Sequence, residues 1–182
     1  MAQASTTTGG ATGQTTTASD VHVRQAWTTR RLSDGTRLDL GRTDREQMFA
    51  VGPAGTYAVV ATRSGWQRCE DGSVARATIT NLAAILPNAG GHTHPLGRAR
   101  DIRAELPGPE DGVMAVRTGK PAYVISARRA IAIQATGSQS FDVRVIAGAP
   151  FTAAERSEIL RLTRLWSVNR GGSGLQCTFT PD

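Results

Sequence analysis

Of the three histidines in the chain, two stand at His92 and His94 with only Thr93 between them. On an extended segment, residues two apart fall on the same side, which sets two imidazoles about 6–7 Å apart along a strand. Two ring nitrogens at that spacing can turn toward one cation, and zinc favours such ligands. The same spacing also occurs on a plain exposed strand face, so the pair needs a third ligand and a base before it does chemistry. With one carboxylate added, the fourth position of tetrahedral zinc is left to water, the arrangement of a catalytic rather than a structural site. Gly90 and Gly91 precede the pair and admit close approach by another backbone or a substrate. Pro95 follows and stops the strand. His22 stands far away and is read as incidental.

Periodicity and turn chemistry predict the elements that must hold this pair. Gln47–Val51 and Thr56–Thr62 are short β-rich runs around Gly52-Pro53-Ala54-Gly55, a hairpin signal. Trp66–Ser73 reads as a loop with a turn at Asp71-Gly72, and Asn81–Leu86 as a short helix ending before Pro87. Leu96–Pro107 is polar and irregular, the composition of an active-site loop. Pro109-Glu110-Asp111 starts a helix, with proline in the first turn and acids at the positive end of the dipole. Gly119 ends it. Ala122–Ser126, Ala130–Ala135 and Phe141–Ile146 read as three strands, the later ones antiparallel neighbours. Thr152 and Glu155 form a capping box for a last helix. Ile159, Leu162, Leu165 and Trp166 are its apolar stripe, and Gly171-Gly172 its stop. The fold class is α+β: a mainly antiparallel or mixed sheet flanked by about three helices.

Upstream, residues 1–19 are Thr, Gly, Ala, Ser and Gln without apolar periodicity, which predicts a disordered leader. Residues 20–42 read as an accessory hairpin, because Val21, Val23 and Trp27 suggest alternation and Asp34-Gly35 suggests a turn. Residues 43–182 make up the main domain.

The chain has 182 residues, enough for one core. No apolar run approaches the roughly 18 residues that span a bilayer, so no membrane partner is expected. The N-terminus has no basic start and no apolar h-region, which predicts cytoplasmic synthesis and leaves specialised export open. A net charge of +6 invites a nucleic-acid reading. Yet the basic residues are scattered, and aromatics at 5% offer few stacking platforms. That reading rests on charge alone. Cys69 and Cys177 are too few for a disulfide framework and read as reduced thiols, with a single bridge left open.

The string His92-Thr93-His94-Pro95 resembles the His-x-His-Pro signature of the JAMM/MPN (JAB-like) metallopeptidases. Asp44-Arg45-Glu46-Gln47-Met48-Phe49 with Pro53-Ala54-Gly55-Thr56-Tyr57 is similar to the first hairpin of bacterial JAMM-like domains in polymorphic toxin and secreted proteins. Gly119–Ser126 looks like the strand after their metal-binding helix. The likeness covers roughly residues 43–147. It implies a cytidine-deaminase-like core, a zinc cofactor held by His92, His94 and Asp111, and Glu46 as catalytic base. It implies hydrolysis of an amide bond in a protein or peptide substrate, as a peptidase or isopeptidase. Taken alone, Glu46 reads as an exposed acid beside Arg45; Tyr123 and Trp66 read as core or cleft wall.

Two departures qualify the likeness. The family's serine position is Gly108 here, which removes a hydroxyl from the oxyanion side. The gap from His94 to Asp111 is longer than in the compact form, which makes Asp101 a rival third ligand; the helix-start context favours Asp111. The alternative function is an inactive MPN-like scaffold that binds protein partners.

Overall fold

Small and branched apolar residues alternate with no polar break through Ala122–Ile125 and much of Arg129–Ala135, so these strands are buried on both faces. Something must therefore cover each side of the sheet. A computed structural model describes residues 16–41, 46–59, 61–69, 74–80, 88–94, 105–136, 141–170 and 177–181.

The strands are β1 Met48–Gly52, β2 Gly55–Val59, β3 Ala61–Cys69, β4 Val74–Thr80, β5 Ala89–Thr93, β6 Ala122–Ile125, β7 Arg129–Ala135, β8 Phe141–Gly148 and β9 Cys177–Pro181. The helices are α1 Ala18–Thr29, α2 Pro109–Thr118 and α3 Ala153–Arg170. The larger sheet has the order β2-β1-β5-β6-β7-β8. Its neighbours pair antiparallel except β5 with β6, which run parallel. The α+β class with a mixed sheet and three helices is thus the one the sequence predicts. A second sheet, β4-β3-β9, is antiparallel throughout.

Strand parity sorts the core into two layers. Tyr123, Ile125, Ala130 and Ala132 face one way and pack with Val23 and Ala26 of α1, Phe49 and Val51 of β1, and Leu32, Leu38 and Leu40. Ala122, Val124, Ile131 and Ile133 face the other way and pack with Ala115 of α2, Ile159 of α3, Leu106 and Phe151. Among the described residues, one helix therefore packs on one face and two on the other.

Several predicted elements are in place. Pro53 and Ala54 turn the β1–β2 hairpin. Gly119 ends α2 in the left-handed conformation, at φ +63°. The Thr152 hydroxyl accepts from Glu155 N–H at 3.2 Å, and Glu155 Oε2 accepts from Thr152 N–H at 2.8 Å, closing the capping box of α3.

Three readings are corrected. Val21–Trp27 is not a hairpin arm, and Ala18 and Ser19 do not belong to a disordered leader; all are helical within α1, behind the Thr17 N-cap. Val23 and Ala26 are buried while Val21 is 50% exposed, which is the helical period. The Asp34-Gly35 turn survives, flanked by a lone bridge between Arg31 and Arg37. Trp66–Cys69 is not a loop either, because β3 gains a partner on each side, β4 and the distant β9. The leader up to residue 15, the Asp71-Gly72 turn, the Asn81–Leu86 helix and residues 96–104 of the polar loop, Asp101 among them, lie outside the described residues.

Candidate metal centre

The register of β1 against β5 sets Met48 opposite His92. Beyond it the ladder continues: Thr93 N–H donates to the Gln47 carbonyl at 2.9 Å, and Gln47 N–H donates to Thr93 Oγ1 at 2.8 Å. Glu46 is the next residue, and its carboxylate comes within 4.8 Å of ring nitrogens of His92 and His94. Antiparallel partners on one face meet side by side, and this is why residues nearly fifty positions apart share a site. His94 N–H donates to the Ile125 carbonyl at 2.9 Å, so the β5–β6 ladder also reaches the second histidine. Parity puts His92 on the same face as Val124, the face that α2 covers.

Glycine at position 91 has a local cause. A Cβ there would meet the Phe49 ring and come within 2.8 Å of the Tyr123 carbonyl. The close approach predicted for this glycine is made by the protein's own core, on the face away from the histidines.

The two imidazoles converge, with Nε2 to Nε2 at 2.9 Å. Asp111 Oδ1 lies 3.2 Å from His92 Nε2. Glu46, His92 and His94 offer ligand atoms that all lie within 4.8 Å of one another, a group that could hold a metal ion. Asp111 is anchored from behind, where its Oδ2 accepts from Gly108 N–H at 2.7 Å. It occupies the third position of α2, where the partial positive charge of the helix start favours a carboxylate.

Burial sets the protonation states. Desolvation pushes His92 down to about 4, and it does the same to His94, reinforced by the neighbouring His92 and opposed by Asp111. Both rings are therefore neutral at pH 7, as metal ligands must be. Asp111 is displaced upward by burial, against the pull of His94 and the Gly108 N–H.

Proton bookkeeping marks the centre as unusual. His92 Nε2 faces both His94 Nε2 and Asp111 Oδ1, yet a neutral ring carries one proton at most on that atom. One proton cannot serve both contacts, whereas a divalent cation accepts all three donor atoms at once. Ligand atoms around tetrahedral zinc sit about 3.3 Å apart for bonds of about 2.0–2.1 Å. The separations of 2.9 and 3.2 Å are close to that. His94 Nδ1 is buried with no hydrogen-bond partner among the described residues. Two nitrogens and a carboxylate oxygen form a donor set that suits zinc.

Glu46, His92 and His94 come together here, and Asp111 lies against His92. Gly108 is the N-cap of α2 and has no side chain to offer, and its N–H is already engaged by Asp111. Sequence reasoning missed Thr93, whose hydroxyl ties Gln47 and hence Glu46 to β5; only its place between the histidines hinted at it. It also missed a cluster of charges elsewhere in the fold. Arg129 is fully buried and pairs with Glu155 at 2.9 Å, while Arg128 bridges Glu155 and Glu105 at 3.3 and 3.5 Å. The capping box exposed Glu155 in the sequence, but nothing there named its arginine partners.

No family model matches the chain, and no curated protein or solved structure matches it either.

Proposed function

We propose that this protein is a zinc-dependent peptidase or isopeptidase with a JAMM-like core, hydrolysing an amide bond in a protein or peptide substrate. The observation that carries the reading is the convergence of His92 Nε2, His94 Nε2 and Asp111 Oδ1, with Glu46 on the neighbouring strand. His92, His94 and Asp111 hold the ion. When bound, zinc supplies Lewis acidity, which acidifies water toward neutral pH and polarises a carbonyl.

Glu46 and Asp111 divide the carboxylate roles by position. Asp111 lies 3.2 Å from a ligand nitrogen and is clamped by Gly108, which suits a fixed ligand. Glu46 brings a carboxylate oxygen within 4.8 Å of a nitrogen of each ring, near enough to act on a water held there. It takes the proton of the attacking water and passes it to the departing amine. Gly108 offers no hydroxyl to the developing oxyanion, so a backbone N–H must serve or turnover is slower; one lost donor costs about 10²–10³ in rate.

The decisive experiment is elemental analysis of protein purified without an affinity metal, followed by a peptidase assay. One zinc per chain in wild type, none in the His92→Ala/His94→Ala variant, and cleavage abolished by Glu46→Gln are expected. Wild-type protein that takes up no zinc at neutral pH would exclude the reading. The second reading, an inactive scaffold, is favoured by Gly108 alone. Zinc binding with no Glu46-dependent cleavage would select it.

A further inference from the structure

Cys69 ends β3 and Cys177 begins β9, and the antiparallel register sets them directly opposite each other. They are separated by more than a hundred residues in the chain. Directly opposed residues in an antiparallel pair have Cα atoms about 4.5 or 5.5 Å apart, depending on the kind of pair. Both values fall inside the range of about 4.4–6.8 Å that a disulfide requires. The same register pairs Arg68 with Thr178 and Trp66 with Thr180. These four residues are exposed.

We propose that Cys69 and Cys177 form a redox-active cross-strand pair that low-molecular-weight disulfides oxidise to an internal bridge. One cysteine thiolate attacks a sulfur of glutathione disulfide, forming a mixed disulfide and expelling one glutathione thiolate. The second thiolate attacks the protein sulfur of that mixed disulfide, forming the bridge and expelling the second glutathione. The two protein thiols give up two protons and two electrons, and one glutathione disulfide becomes two glutathione thiols. The bridge closes a covalent loop that contains His92, His94 and Asp111 and holds β9 on β3. Constraint of the unfolded chain by so long a loop favours the folded state. The inference stands apart from the peptidase reading, because it uses neither the metal centre nor its activity.

The test uses the full chain at low concentration, equilibrated with glutathione disulfide, then alkylated in denaturant and digested with trypsin. Cleavage after Arg68, Arg76 and Arg170 releases peptides 69–76 and 171–182. The expected result is one linked species, two hydrogen masses below the sum of the two peptides, which dithiothreitol separates, from a protein of single-chain mass. Cys69→Ser protein should carry glutathione on peptide 171–182 instead. Separate glutathionylated or alkylated peptides from the wild type would overturn the inference, as would a bridge found only in a two-chain species.

Discussion

Asp20 of α1 and Asp111 of α2 occupy the same position, the third of their helices, and each accepts a hydrogen bond from the N-cap N–H, at 3.2 and 2.7 Å. Both are buried. Their electrostatics are opposite. Burial alone would raise Asp20, but hydrogen bonds from Arg144, Tyr123 and Thr17 outweigh it and hold the carboxyl below its usual range. Arg144 Nη1 lies 2.8 Å from one oxygen, and the Tyr123 hydroxyl donates to the other at 2.8 Å. Burial raises Asp111, and the titratable side chains that face it among the described residues are His92 and His94 rather than an arginine. Glu155, third in α3, resembles Asp20, since Arg129 and Arg128 help to hold it down against desolvation. Identical backbone caps thus serve two ends. Where an arginine completes the cap, the acid locks a helix to the sheet. Where neutral imidazoles face it, the missing positive charge is one that a metal ion could supply.

The strongest way to break this contrast is to exchange the acids for their amides. Asp111→Asn should lower zinc affinity by more than the ~10–100-fold that loss of an outer-shell partner costs. The metal-free protein should melt no lower than wild type, because a desolvated carboxylate has been removed. Asp20→Asn should do the reverse. It leaves Arg144 beside a neutral amide and costs about 3–5 kcal/mol of stability, measured by denaturant unfolding, with zinc stoichiometry unchanged. Equal loss of zinc in both variants would erase the distinction.

Acid sharpens the contrast less severely. The unfolded histidines titrate near 6.5 and the folded ones near 4. Between those values the unfolded state binds more protons, so stability rises with pH across the window. Thermal melts of the metal-free protein should therefore be level above pH about 6.5 and fall toward pH 4. The stabilisation by zinc should shrink over the same window, because protonated rings do not ligate. The smallest effect is expected from Gly108→Ser. A hydroxyl at the N-cap should raise peptidase turnover if an oxyanion donor is lacking, and no turnover in either protein would favour the scaffold reading.

The histidine pair was legible because strand parity is local: residues 92 and 94 share a face however the strand is placed. The helix that presents Asp111 was legible from Pro109 and Gly119, which act within one turn of themselves. The meeting of Glu46 with His94 was not, because it depends on a register between strands far apart in the chain, and only the family resemblance supplied it. The error at Val21–Trp27 has a different cause. Val21 and Val23 imitate alternation, while the Thr17–Asp20 capping box that starts α1 was in the sequence and went unread. β3 was missed because Gly65, Gln67 and Arg68 look like loop residues, and its partner β9 lies near the other end of the chain.

The lone parallel junction, β5 beside β6, carries a consequence in polymer terms. Parallel neighbours cannot be joined by a tight turn, so the chain must leave the sheet after His94 and return through α2 before β6 begins. Both ends of that excursion are pinned, one by ladder bonds at His94 and the other by the cap at Gly108. The parallel junction therefore obliges the chain to place a whole helix between His94 and β6, and the first turn of that helix is what brings Asp111 back to His92.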